Sequence, residues 1–239
     1  MKRSQPSTLT VDIGGTGIKA AVLDTNGKII SKKFLWVKTP QPATPQAVLK
    51  EIRELVLALP KYERISIGFP GVVAGGTIIT APTLDNKSWQ GFALAKRLQK
   101  ELGKPARILN DADLHGWGVI KGKGLELVVT LGTGVGTACF RNGELLPHLE
   151  LAHHPVSKQG ETYNQYLGDA ARKKVGNKIW NERLRHALDI LYTLLRYDTV
   201  YLGGGNSRWI TLKKNKNSKI VSNYAAISGG TALWNSPVK

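Results

Sequence analysis

The stretch Val11-Asp12-Ile13-Gly14-Gly15-Thr16-Gly17-Ile18-Lys19 reads as a strand, a glycine-rich reversal and a second strand. A counterpart recurs at Leu131-Gly132-Thr133-Gly134-Val135-Gly136. Ahead of the first copy, Leu9 and Val11 alternate with Thr8 and Thr10, the two-residue period of a strand, so a strand is expected over Ser7–Ile13. Ile18–Leu23 continues it, and Asn26-Gly27, a dipeptide suited to tight hairpins, turns the chain into Lys28–Trp36. Around the second copy the order is the same: strand Leu125–Leu131, glycine turn, strand Val135–Phe140, Asn142-Gly143 turn, strand Glu144–Leu149. A five-part pattern that occurs twice implies an internally duplicated fold.

Helices and further strands fill the space after each copy. Thr44 and Pro45 open a helix with Val48, Ile52, Leu55, Val56 and Leu59 at helical spacing, and Pro60 closes it. Arg64–Phe69 reads as a buried strand ended by Pro70-Gly71, Phe92–Leu102 as a basic amphipathic helix, and Ala106–Leu109 as a strand. Asn110-Asp111 then starts a helical stretch to about Ile120. After the second copy come helices at about Asn164–Val175 and Lys178–Arg196, a strand Thr199–Leu202, Gly203-Gly204-Gly205-Asn206, the apolar pair Ile220-Val221 and a last helix Ala225–Leu233. The expectation is an α/β chain of two lobes with duplicated β-β-β-α-β-α topology and a central cleft, where ligands favour binding. Residues 1–109 form the smaller lobe and 110–239 the larger, the last helix being placed to pack back on the smaller.

The chain's 239 residues are 41% hydrophobic, enough for a sizeable core. No apolar run approaches the ~20 residues of a membrane-spanning helix, and the basic N-terminus leads into a strand, not a signal core. A soluble, cytoplasmic protein without membrane partners is expected. Cys139 is alone, which rules out an intramolecular disulfide or a cysteine zinc cluster and fits a small core residue. Lys and Arg number 34 against 17 Asp and Glu, a formal net charge of +17. Such an excess favours polyanionic partners (nucleic acid, an acidic membrane, a phosphate polymer), or else only solvates the surface. Its lysines are scattered, as at Lys32-Lys33, Lys96-Arg97, Arg172-Lys173-Lys174 and Lys213-Lys214-Lys216.

Glycine turns after strands expose N–H groups that hold anionic oxygens. Three occur: Gly14-Gly15-Thr16-Gly17, Gly132-Thr133-Gly134 and Gly203-Gly204-Gly205. Neither the Gly-x-x-x-x-Gly-Lys-Ser/Thr loop nor a strand-linked Gly-x-Gly-x-x-Gly fingerprint fits, because strand follows Gly132–Thr137. Asp111 stands just beyond a strand's carboxyl end, where a base is useful. Read locally, Asn110 or Asp111 is equally a helix N-cap, and Asp113 a first-turn charge. Asp12 could orient Mg²⁺ through water or be a turn carboxylate. Glu150-Leu151-Ala152-His153-His154 could bind a polyol or be a solvated turn, and lacks a third spaced metal ligand.

Taken in order, Val11–Lys19, Gly68-Phe69-Pro70-Gly71, Asn110-Asp111-Ala112-Asp113, Leu131–Gly136 and Leu202–Gly205 resemble the motifs of the ROK family of sugar kinases and repressors, within the actin-like ATPase (ribonuclease H-like) superfamily. The resemblance implies that fold, Asp111 as the base toward a sugar 6-hydroxyl, and Asn110, Glu150 and His153 as sugar contacts, with Thr83, Asn86 and Glu161 as further ones. It implies donor contacts from Asp12, Gly14, Gly15, Thr16, Lys19, Gly132, Thr133, Gly134, Gly203, Gly204 and Gly205, with Mg²⁺ as cofactor and no direct metal ligand. Many relatives carry a Cys-x-Cys-Gly-x-x-Gly-Cys zinc motif; Pro155–Tyr163 has no cysteine, so no structural zinc is expected. The helix-turn-helix extension of the repressors is not seen, so no DNA reading is expected, while relatives are commonly homodimers. Within the family the chain is most similar to the polyphosphate glucokinase branch. Glucose is the implied acceptor and polyphosphate the implied donor. The alternatives are an ATP-dependent glucokinase or other hexose kinase and, from another class, a non-catalytic sugar sensor or nucleic-acid-binding protein.

Overall fold

The computed structural model describes residues 6–31, 33–212, 217–222 and 225–235. Two compact units are present: Met1–Gly118 with Tyr224–Lys239, and Val119–Asn223. The sequence boundary at residue 109 falls nine residues early, because Asn110 and the helix after it pack on the strands of the first unit. That unit therefore also takes the chain's C-terminal segment.

In the first unit, β1 (Thr8–Ile13), β2 (Gly17–Leu23) and β3 (Leu35–Lys38) are antiparallel. The helix α1 (Pro45–Leu57) follows, with Thr44 accepting from the Ala47 N–H and proline at its first turn, a position where no hydrogen bond is lost. Strand β4 (Arg64–Phe69) then pairs parallel with β1. A small hairpin, β5 (Val73–Ala74) and β6 (Thr77–Ile78), and two helices, α2 (Asn86–Trp89) and α3 (Leu94–Leu102), lead to β7 (Ala106–Asn110), parallel to β4, and α4 (Asp111–Trp117). The sheet order is β3-β2-β1-β4-β7. One face buries Val11, Ile18, Ile67, Phe69 and Ile108 with Val48, Ile52 and Leu98 of the helices.

The second unit repeats the plan. Strands β8 (Leu125–Leu131), β9 (Val135–Arg141) and β10 (Glu144–Leu145) are antiparallel. Next come α5 (Tyr163–Leu167) and α6 (Asp169–Leu195), the latter broken at Gly176, whose φ of 78° is outside the helical range. Strands β11 (Thr199–Gly203) and β12 (Ser218–Ile220) extend the sheet in parallel, giving the order β10-β9-β8-β11-β12. The two sheets share one order and one pattern of directions, which is the duplication seen in the glycine turns.

Three strand and helix ends differ from expectation. Lys28–Trp36 is not one strand: the Ser31 hydroxyl accepts the Val22 N–H at 3.2 Å, which interrupts the ladder until β3 starts at Leu35. Strand β10 stops at Leu145 instead of Leu149, since Pro147 has no N–H to continue it. The final helix is α7 (Ala225–Ser228) followed by a 3₁₀ turn over Gly229–Trp234. There, Gly229 and Gly230 lie so close to α4 and to Thr10 that no Cβ fits.

Candidate active site

In the first unit, the glycine turn between β1 and β2 closes by a Gly14 N–H to Gly17 carbonyl bond of 3.0 Å. Asp12, at the end of β1, faces Lys19 across the ladder, and the Lys19 Nζ lies 3.0 Å from Asp12 Oδ2. The Asp12 charge raises the Lys19 pKa against burial, and the more distant Asp111 adds to it. Lys19 is thus a permanent cation beside the turn. Thr83 packs on Gly15, where an added Cβ would come within 3.1 Å of the Thr83 Cβ, and the buried Thr83 hydroxyl has no hydrogen-bond partner among the described residues. The Asn86 side-chain oxygen accepts the Ala81 N–H at 2.6 Å, so Asn86 shapes the loop that carries Thr83.

The choice between Asn110 and Asp111 as cap is resolved by geometry. Asn110 is the N-cap of α4: its Oδ1 accepts the Ala112 N–H at 2.8 Å and its Nδ2 donates to the Gly71 carbonyl at 3.2 Å. Asp111 is the first helical residue, at the carboxyl end of β7. Between it and Asp12 stands Gly68. A Cβ there would be 3.4 Å from Asp111 Cα, 3.6 Å from Asp12 Oδ1 and 3.2 Å from Leu114 Cδ2. The absent side chain lets two carboxylates and a lysine converge. Asp113 stands in the first turn of α4, as expected, and is buried.

Sequence reasoning passed over His115, one turn beyond Asp111. It is 3% exposed, and its Nε2 has no hydrogen-bond partner among the described residues. Burial holds its pKa down to about 4, with Asp12 opposing and Lys19 reinforcing the shift. The imidazole is therefore neutral at pH 7. A histidine one turn past a candidate base was the available signal.

In the second unit, Gly132–Gly134 is stitched to its neighbours. The Gly132 carbonyl accepts from the Asp169 N–H at 3.0 Å and from Asn206 Nδ2 at 3.1 Å, and Val135 N–H donates to Asn164 Oδ1 at 2.7 Å. Gly204, with φ of 85°, lies on the Leu131 backbone too closely for any Cβ. The second and third glycine turns are therefore neighbours. Beyond them the Arg172 and Arg208 guanidiniums lie 5.2 Å and 5.1 Å from the Trp209 ring. Lys213-Lys214-Lys216 lies outside the described residues.

The carboxylate of Glu150 sits between two imidazoles, His148 Nε2 at 3.1 Å from Oε1 and His153 Nε2 at 3.5 Å from Oε2. The His148 hydrogen bond, against partial burial, holds its pKa below the usual carboxylate value. His148 is a second residue not singled out from sequence. Glu161 is drawn instead toward Arg183, at 3.8 Å. Its cysteine-free loop is closed by a Pro155–Thr162 bridge and by the Val156 N–H to Glu161 carbonyl bond of 2.8 Å.

A hard cation that keeps most of its waters needs only one or two protein carboxylates beside donor phosphates. Asp12 fits that demand, with Oδ2 on Lys19 and Oδ1 turned to the open position at Gly68.

Comparison with known proteins gives the family and the fold. Residues 8–160 match the ROK family model. The polyphosphate glucokinase of Mycobacterium leprae (strain TN) is 34% identical over 236 residues, covering 92% of this chain and 72% of the relative. That of Mycobacterium tuberculosis (strain CDC 1551 / Oshkosh) is 33% identical over 236 residues, covering 92% and 88%. Among solved structures, the inorganic polyphosphate/ATP-glucomannokinase of Arthrobacter sp. strain KM superposes with a TM-score of 0.85 at 29% identity, covering 95% of this chain and 97% of that one. A ROK family glucokinase from Streptomyces griseus, at 20% identity, gives a TM-score of 0.77 with 96% and 100% covered and bears on the fold alone. The architecture is the actin-like ATPase fold. With duplicated sheets, three glycine turns in the same order and a family match over the region that holds Asp12, Asp111 and Glu150, the chain belongs to the ROK family.

Proposed function

We propose that the chain is a phosphotransferase with an alcohol acceptor, transferring a phosphoryl group from inorganic polyphosphate to the 6-hydroxyl of glucose. The observation that carries this reading is the convergence of Asp111, Asp12 and Lys19 around the missing side chain of Gly68. A base, a cation and a phosphate turn are the parts phosphoryl transfer requires, since its catalysis is mostly positioning and charge. The names of the mycobacterial relatives supply the substrates.

In this reading the Asp111 carboxylate takes the proton of the 6-hydroxyl while that oxygen attacks the terminal phosphorus. The bond to the rest of the chain breaks, and a polyphosphate one unit shorter leaves as an anion. Lys19 neutralises charge at the first turn, where the N–H groups of Gly15 and Thr16 donate to phosphate oxygens; those of Thr133 and Gly134 do the same at the second turn, while the Gly14 and Gly132 N–H groups close the turns themselves. Mg²⁺, when bound beside Asp12, offsets donor charge. Glu150, kept ionised by His148, accepts hydrogen bonds from sugar hydroxyls, and His153 supplies a donor or acceptor next to it. Asn110 holds the strand end that presents Asp111, while Thr83 offers near Gly15 a hydroxyl that has no partner among the described residues. Asn86 and Glu161 support these loops.

ATP as donor is the second reading. It is favoured by the union of Gly203-Gly204-Gly205 with the second turn through Asn206, and by the Arthrobacter relative whose name carries both donors. Glucose 6-phosphate formation with Mg²⁺ and either polyphosphate or ATP separates the two. D111N should lower kcat by about 10²- to 10⁴-fold, the usual worth of a positioned base, and keep glucose affinity. Near wild-type turnover in that variant would remove Asp111 from the role.

A further inference from the structure

Asp12, Lys19 and Trp36 stand side by side across β1, β2 and β3. Asp12 pairs with Lys19 and Lys19 with Trp36, and paired residues of antiparallel strands point to the same face. Trp36, on the edge strand, is 55% exposed, whereas Trp89 and Trp180 are fully buried. An exposed indole costs apolar surface in water, so what it touches is informative. It lies on Gly17, the last residue of the first glycine turn. A Cβ on Gly17 would collide with the ring, and Nε1 is the ring atom nearest to that position.

The rest of the edge is fastened to the same turn. Lys38 is paired with Gly17 and points to the face of Trp36, two residues away. The Thr39 N–H donates to the Thr16 carbonyl at 3.1 Å, and the Thr39 hydroxyl to the Gly14 carbonyl at 2.6 Å. Trp36 to Thr39 thus walls one side of the turn. The indole N–H has no acceptor among the described residues, and the Lys38 ammonium takes part in no ion pair among them.

We propose that Trp36 and Lys38 form a donor-binding edge of the first turn: the indole N–H donates to an oxygen of the donor's phosphate chain, and Lys38 neutralises a neighbouring phosphate. The inference rests on the kinase reading for its ligand, a phosphoanhydride chain, which inorganic polyphosphate and ATP both carry. An N–H and an ammonium beside a backbone anion turn suit phosphate oxygens.

W36F keeps an aromatic ring at this edge and removes the N–H together with the second ring of the indole. Tripolyphosphate binding, measured calorimetrically on the whole chain without sugar, should weaken about tenfold in W36F, equal to roughly 1.4 kcal/mol. The donor KM should rise by a similar factor while the glucose KM stays within twofold. K38Q should weaken tripolyphosphate binding at 50 mM salt, and the difference should vanish near 0.5 M. Unchanged tripolyphosphate binding in W36F overturns the proposal. So does a loss confined to ATP that appears in W36A but not in W36F, which would make Trp36 a base-stacking surface. If wild type transfers phosphate to no sugar, yet W36F weakens tripolyphosphate binding, the kinase reading fails and the edge stands.

Discussion

At the residue scale, the site depends on one side chain that is missing and one that is uncharged. Gly68 has no Cβ to hold Asp12 and Asp111 apart, which is why a Gly-x-Pro-Gly turn belongs with the two acidic motifs. Asp111 as the proposed base was legible only through the ordered set of motifs, because a capping aspartate and a catalytic one look alike in local sequence. His115 was legible only as a histidine one turn past Asp111: whether a helix histidine faces solvent or core depends on packing that a single sequence does not display. Its state has a measurable consequence. A histidine with a pKa of about 4 when folded and 6.5 when unfolded takes up its proton more readily in the unfolded chain. Its contribution is therefore complete above pH 6.5 and lost as pH falls from 6.5 toward 4. The full span amounts to about 3 kcal/mol by the usual conversion of pKa to free energy. Urea unfolding of wild type between pH 7 and 4.5 should show most of that loss, and H115Q should show a flatter profile. Equal slopes in the two proteins would mean that His115 takes up its proton as readily in the fold as in the unfolded chain.

At the element scale, the sheets were readable and their margins were not. Alternating Leu9, Val11 and the run Leu127–Leu131 marked strands to within a residue or two. The turn at Gly75-Gly76 could have revealed the β5–β6 hairpin, since two glycines with φ of 55° and 77° permit a tight reversal. Ser31, by contrast, breaks a ladder through its hydroxyl, an event that hydropathy cannot foresee. A similar side chain–backbone device fixes the start of the second sheet. Glu126, buried on β8, accepts the N–H groups of Lys121 at 2.8 Å, Gly122 at 2.7 Å and Lys123 at 3.1 Å, and the Tyr201 hydroxyl at 2.7 Å. Burial would raise its pKa, but these donors overcome it and the net shift is downward. A carboxylate so depressed stabilises above its ordinary value of 4.5 and ceases to do so as pH falls through its folded pKa. E126Q should cost about 2 kcal/mol at pH 7, as for lost hydrogen bonds to a buried charge, and the deficit should shrink below pH 4. A pH-independent deficit would assign it to packing instead.

At the scale of the whole molecule, the chain is strongly basic, with a formal net charge of +17. Part of that charge is structural. Arg64 and Arg107 lie 5.3 Å and 4.4 Å from the Trp234 ring, and Arg107 donates to the Leu233 carbonyl at 2.9 Å, so these two arginines hold the C-terminal segment to the first unit. Other cations have no such duty: Lys38, Lys87, Lys96 and Lys100 are exposed, and their field extends into solvent. Composition alone left open whether that field has a ligand. Salt separates the alternatives, because a long polyanion meets many cations at once and releases many counterions, whereas ATP meets few. Between 50 and 200 mM salt the KM for long-chain polyphosphate should rise at least tenfold, and the KM for ATP or tripolyphosphate by less than threefold. The screening length falls from about 14 Å to about 7 Å over that range, so charges beyond the immediate contacts drop out first. Parallel salt slopes for long and short donors would mean that the distributed lysines do not attract the chain, leaving only the residues at the glycine turns to hold it.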